Sequence, residues 1–175
     1  MKGSARAPDG LSPSTAFEDR AMATVTTTSL PIRATRAYSA LARLADRLQP
    51  LWGLAVRLYV AQVFFASGLT KIADWSITVS LFENEYHVPF LAPAIAAALG
   101  TAAELALPVL LATGFATRFT AAALFAFNIV AVVSYPELSD AGFKDHVLWG
   151  ALLAALVIHG GGRLSLDAWV RSRFV

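Results

Sequence analysis

Six side chains able to carry charge or exchange hydrogen bonds stand inside or at the mouths of long apolar runs: Arg57, Lys71, Glu104, Asn128, Tyr135 and His146. Their types suit two kinds of chemistry. An Arg–Glu pair can gate a path or hold a proton where water is scarce, and a Lys, Tyr, His and Asn set can hydrogen-bond a small polar group. An ionisable side chain at mid-membrane costs roughly 2.5–3.5 kcal/mol on insertion scales, so each asks for a partner or a purpose.

Depth decides which of them meet. Arg57 stands six residues past Leu51, where the first apolar run opens, or roughly 9 Å along a helix. Glu104 stands about nine residues before the far end of the second run, roughly 13 Å up a helix of opposite direction. Arg57 is therefore expected to pair with Glu104. Pro108, four residues on, removes the amide that would bond the Glu104 carbonyl and leaves an acceptor beside the same carboxylate. A second layer lies at the other end of the helices. Gly68 and Lys71 share roughly the helix face of Arg57, and Asn128 and Tyr135 share a face of the third run. His146 opens the fourth. Lys71, Tyr135 and His146, with Asn128 below them, are expected to line a cavity opening outward. Plainer roles stay open: Lys71 reaching to headgroups, His146 as an ordinary first-turn residue, Asn128 bonding only a neighbouring helix, and a structural Arg57–Glu104 pair. His159, near the opposite end of its run, is not expected at the site.

The elements that must hold these residues are four apolar segments, at 51–69, 90–113, 119–135 and about 143–160. Each is close to the ~20 residues a spanning helix needs. The fourth is the least regular, with its strictly apolar part confined to 147–158. The short link 114–118 makes a hairpin of the second and third. Composition agrees: 57% of residues are hydrophobic and 15% charged, against about 25% charged in a soluble domain, and mean hydropathy is +0.58. The expected fold is an all-α integral membrane protein, a four-transmembrane-helix bundle with interfacial amphipathic helices.

Residues 1–33, rich in Ala, Ser, Thr and Pro, are expected to be a disordered tail without a signal peptide, with a second plausible start at Met22. Residues 34–49 form an amphipathic interfacial helix, with Tyr38, Leu41, Leu44 and Leu48 set against Arg36, Arg43 and Arg47. Residues 50–162 are the membrane domain. Residues 163–175 form a short interfacial helix capped by Ser165 and bearing Trp169, Arg171 and Arg173. Trp75, Val79, Phe82 and Tyr86 line one helical face of the first outer connection, so Asp74–His87 is expected to lie along the outer interface. Of the 14 Lys and Arg, 11 fall in the N-terminal region, the 114–118 link and the C-terminal tail. The connections 70–89 and 136–145 hold only Lys71 and Lys144. Both termini are therefore expected in the cytoplasm.

Several chemistries drop out. With no cysteine, thiol redox and thiolate metal sites are excluded. The three histidines, His87, His146 and His159, offer no convincing haem pair, and no metal site is expected. Gly161-Gly162 follows no strand and is not a phosphate loop. Nothing suggests nucleic-acid binding.

The combination of Arg57, the run Phe65-Ala66-Ser67-Gly68-Leu69-Thr70-Lys71, Glu104, and Gly162-Arg163-Leu164-Ser165-Leu166-Asp167 resembles the DoxX family. The stretch from Leu81 to Pro89, with Glu85-Tyr86 at its centre, resembles a subset of it. The likeness covers about residues 50–170. It implies a multi-pass protein of the bacterial inner membrane. The family's name is linked to thiosulfate:quinone oxidoreductase and quinol oxidase components, and its members resemble subunits of membrane complexes that handle oxidative stress. The subset is associated with operons making modified metal-binding peptides.

Three functions follow as expectations. The first is a small subunit or accessory protein of a membrane redox system, linked to quinone or to a partner protein. There Lys71 or His146 would donate to a quinone carbonyl and Glu104 would relay protons. The second is a small-solute transporter or exporter gated by Arg57 and Glu104. The third is a membrane scaffold for a partner complex. No cofactor is identified from the residues alone, and as an enzyme the chain would at most be an oxidoreductase subunit acting with a partner.

Overall fold

The computed structural model describes the backbone of residues 29–174 and the side chains of residues 34–174. The expected disorder of the tail and the second start at Met22 lie outside the described residues, except that residues 29–33 are already helical. Six helices follow: α1 (Ser29–Ala73), α2 (Trp75–Asn84), α3 (Pro93–Thr113), α4 (Thr117–Ser134), α5 (Asp140–His159) and α6 (Leu166–Phe174). No strand occurs among the described residues. Four of the helices are long and apolar enough to cross a membrane: Ala34–Ala73 within α1, then α3, α4 and α5.

Pro50 lies inside α1, which runs through it without a break. Proline already holds a helical φ; its cost is the lost bond to the Asp46 carbonyl and a ring clash there, about 3 kcal/mol. The alanine- and leucine-rich turns on both sides favour the helix enough to carry it through. Among the described residues, those up to Asp46 and those from Arg47 onward fall into two units. In the first, Tyr38, Leu41 and Leu44 are exposed.

From Arg47 onward the pattern of burial is that of a protein whose solvent is apolar. Leu58, Leu69, Val109, Phe119, Ile129, Val133, Val147 and Ile158 face outward, while Arg57, Thr101, Glu104, Thr117, Thr120 and Asn128 are buried. A water-soluble domain shows the reverse. The centre is packed by Val56, Val60 and Phe64 of α1, Leu111 of α3, Leu124 of α4, and Leu153 and Leu156 of α5.

Helix α2 lays its aromatic face on α3. Phe82 is buried against Ala96 and Ala97 of α3, with Val79, Tyr86 and Val88 beside it. The two small alanines leave a shallow seat for one ring, and Phe82 and Tyr86 meet edge to face at 5.0 Å. Of the four residues only Trp75 stays clearly exposed. The helix begins at Asp74, whose carboxylate accepts from the Ile77 amide at 3.0 Å. Those amide bonds, with a further one from the Ser76 hydroxyl, hold the Asp74 carboxyl below its ordinary range.

Candidate functional site

Lys71 ends α1 one turn above Ser67. Helical side chains lean toward the N-terminus of their own helix, so the Lys71 ammonium folds back over Ser67 rather than outward. It donates to Ser67 Oγ at 3.0 Å and lies 2.9 and 2.7 Å from Glu104 Oε1 and Oε2. The Ser67 hydroxyl donates to Glu104 Oε1 at 3.1 Å. Gly68 makes this approach feasible: a Cβ there would stand 3.1 Å from Glu104 Cβ and 2.8 Å from Leu105 Cδ2. The buried Thr78 hydroxyl of α2 donates to the Lys71 carbonyl at 2.8 Å and fixes the top of α1.

Arg57 does not meet Glu104. Fully buried, it donates to the Ala112 carbonyl at 3.3 Å and to the Leu164 carbonyl. The depth count failed because it began where the apolar run opens. The packing sets Arg57 level with the last turn of α3, and its long side chain runs to the loops at that end. The free acceptor expected beside Pro108 therefore has no guanidinium to receive. What Arg57 holds instead is the junction between α3 and the loop before α6.

That junction has a second tie. Ala116, ahead of α4 at φ 45°, has no side chain able to cap. Asp167 of α6 caps in its place, accepting from the Ala116 and Thr117 amides at 2.7 and 2.8 Å. Gly114, at φ 73°, lets the chain turn there, and its carbonyl accepts from the Asp167 amide at 3.0 Å. Partial burial alone would raise the Asp167 carboxyl, but bonds from Thr117 and Ala116 and the charge of Arg171 outweigh it and hold it below its ordinary range. Ser165 caps α6 as expected, accepting from the Ala168 amide at 3.2 Å.

At the Lys71 end, α4 and α5 are tied by a reciprocal pair. Asn128 Nδ2 donates to the His146 carbonyl at 2.9 Å, and Asn128 Oδ1 lies 2.7 Å from His146 Nδ1. The imidazole stacks edge-on to Trp149 at 4.9 Å, and Trp149 to Phe64 at 5.9 Å. Tyr135 meets Tyr86 edge to face at 5.1 Å. The segment after α2 is pinned beneath them by the His87 amide, which donates to the Ser134 carbonyl at 2.7 Å.

Between these groups lies a cavity of about 390 Å³. Lys71, Glu104, Tyr135 and His146 line it, with Phe82, Phe127 and Leu99 among its apolar walls. Asn128 stands behind His146 and lines a separate recess of about 260 Å³ with it. Of the six expected residues, four thus share one space, one supports it, and Arg57 lies at the opposite end of the bundle. Three polar lining residues were not anticipated: Ser67, Tyr86 and Ser134. Ser67 was legible as the residue one turn before Lys71. Tyr86 was read on the outer connection, apart from the cavity. Burial pushes the Tyr86 phenol up, with Tyr135, Glu85 and Glu104 nearby adding to the effect, so it remains a neutral hydrogen-bonding group. No cluster of three metal-ligating side chains occurs among the described residues.

The DoxX family model matches residues 53–136. An uncharacterized protein of Haemophilus influenzae is 32% identical over 127 residues, covering 67% of this chain and 82% of that protein. No solved structure matches the chain. The family match contains Arg57, Ser67, Lys71, Glu104, Asn128 and Tyr135 and stops short of His146.

Proposed function

The chain belongs to the DoxX family of multi-pass membrane proteins, and from that membership we propose that it is a small subunit of a redox system in the bacterial inner membrane, holding a quinone head group in the Lys71–Glu104 cavity. The observation that carries this reading is an ammonium–carboxylate pair at the wall of an otherwise largely apolar space. A volume of about 390 Å³ falls within the roughly 300–1,000 Å³ of small-molecule sites, which are mostly apolar with a few convergent polar groups. A quinone bound there supplies two-electron, two-proton chemistry, and a partner protein exchanges the electrons. Lys71 donates to one of its oxygens. Glu104, joined to Lys71 and Ser67, holds or passes a proton. The rings of Phe82, Tyr86 and Tyr135 pack against the apolar face.

In this reading both termini lie in the cytoplasm and the cavity opens on the outer side. The gathering of Arg118, Arg163 and Arg171 around one recess, at the end where Asp167 caps α4, supports that orientation.

The test is purification of the full chain in mild detergent, followed by extraction and identification of bound quinone. Quinone should co-purify with the wild type and be lost in Lys71→Met. Solute flux in liposomes holding this chain alone would replace the reading with a transporter. Neither result, with a stable co-purifying protein, would replace it with a scaffold.

A further inference from the structure

The Asn128–His146 contact fixes more than the packing of two helices. A backbone carbonyl only accepts, so the end of the Asn128 amide 2.9 Å from the His146 carbonyl is its NH₂ group. The opposite orientation would set two oxygens against each other. Asn128 Oδ1 therefore faces His146 Nδ1 at 2.7 Å, and because an amide oxygen also only accepts, Nδ1 must carry the hydrogen. In a neutral imidazole the other nitrogen, Nε2, is then the acceptor. No partner for Nε2 occurs among the described residues. Nδ1 is taken up by Asn128, which does not line the large cavity, whereas His146 does. His146 lines both that cavity and the smaller recess beside Asn128, and Nε2 is the ring nitrogen that Asn128 does not hold.

We propose that His146 is the cavity's hydrogen-bond acceptor, held in that form by Asn128, and that the site selects a ligand with a hydroxyl donor at one end and an accepting oxygen at the other. Resting on the quinone reading above, this makes the preferred ligand the hydroxyl-bearing quinol rather than the quinone. One hydroxyl donates to His146 Nε2 and the second oxygen accepts from Lys71. It also revises the expectation that His146 donates to a quinone carbonyl: with Nδ1–H engaged by Asn128, a neutral His146 has no hydrogen left to offer. A quinone carbonyl set against the Nε2 lone pair would leave two acceptors facing each other in a space with little water, the arrangement buried polar groups avoid. Asn128 is a positioning residue here, since it acts on the ligand only through the imidazole.

Two readouts on the full-length protein test this. The first is the ring-nitrogen NMR spectrum of protein labelled with ¹⁵N at histidine, the His146 signals being those missing in His146→Gln. The wild type should show Nδ1 protonated and Nε2 bare, and Asn128→Leu should lose that pattern. If Asn128→Leu does not fold, the wild-type spectrum alone decides the tautomer. The second is titration with decyl-benzoquinol and with decyl-benzoquinone. The quinol should bind tighter by about tenfold or more, the scale of one buried acceptor left unpaired, and His146→Phe should erase the difference. A protonated Nε2 in wild type that still binds quinone, or equal binding of the two forms, overturns this inference and leaves the quinone site standing. Failure of both forms to bind, with Nδ1–H intact, overturns the quinone site and with it this ligand class.

Discussion

Lys71 Nζ sits 2.7 Å from Glu104 Oε2 and 2.9 Å from Oε1, joining the last turn of α1 to the middle of α3. Its side chain is 17% exposed and that of Glu104 7%, so the pair is shielded from water and each charge depends on the other. Removing one partner of a buried pair strands the second, at about 3–5 kcal/mol in soluble proteins. Lys71→Met should therefore lower thermal stability in detergent sharply, and Lys71→Met with Glu104→Leu should recover part of the loss. Melting curves of the wild type and both variants give the test; a double variant no better than the single one would contradict it.

A double-mutant cycle separates the pairing found from the one the depth count favoured. Lys71 and Glu104, in contact, should show a coupling of about 0.5–3 kcal/mol. Arg57 and Glu104 share no partner and should add to within about 0.5 kcal/mol. Denaturation of single and double alanine variants provides both numbers.

Arg57→Met leaves the Ala112 and Leu164 carbonyls without their donor, about 1–3 kcal/mol for buried groups. The loss should appear first as local release of the loop before α6. Trypsin should then cut after Arg163 faster than in wild type. Arg57→Lys should restore little, since an ammonium lacks the planar fork that reaches two carbonyls at once.

The Asp167 carboxyl is held below its ordinary pKa of about 3.9. A depressed carboxylate contributes stability that is fully present above that ordinary value and lost as pH falls through the folded one. The stability gap between wild type and Asp167→Asn should thus be widest near neutral pH and narrow below about pH 4. Melting temperatures of both proteins from pH 7 to pH 3 show whether it does.

Reporter fusions at Asn84 and Ser139 should read outside, and those at Gly114 and the C-terminus inside. An external C-terminus would reverse the proposed orientation.

The helices were legible because an apolar run of about twenty residues has few other fates, and the turn at Gly114 because short links join antiparallel neighbours. Lys71, Tyr135 and His146 were read together for a sound reason: all three fall at one end of their helices, with Asn128 a turn or two deeper. Arg57 was misassigned because sequence distance measures depth only from a known zero, and contacts set that zero. The direction in which Lys71 leans, which brings it to Glu104, follows from helix geometry and was available. The seat of Phe82 on Ala96 and Ala97 was not, because an aromatic stripe fits a lipid interface and a pair of alanines equally well. Pro50 does not end a helix here, since a helix can carry one lost bond when its flanks favour it strongly.

The cap of α4 comes from a residue 51 positions later in the chain. At bacterial-type synthesis rates of about 5–20 residues per second, α4 emerges roughly 3–10 s before Asp167 exists to receive its first amides. Arg57 waits longer still for the Leu164 carbonyl. The Arg57 end of the bundle is thus completed only after all four long helices have been made. A nascent chain cut short before Leu164 keeps its four long helices but bears an unsealed helix start and a stranded guanidinium.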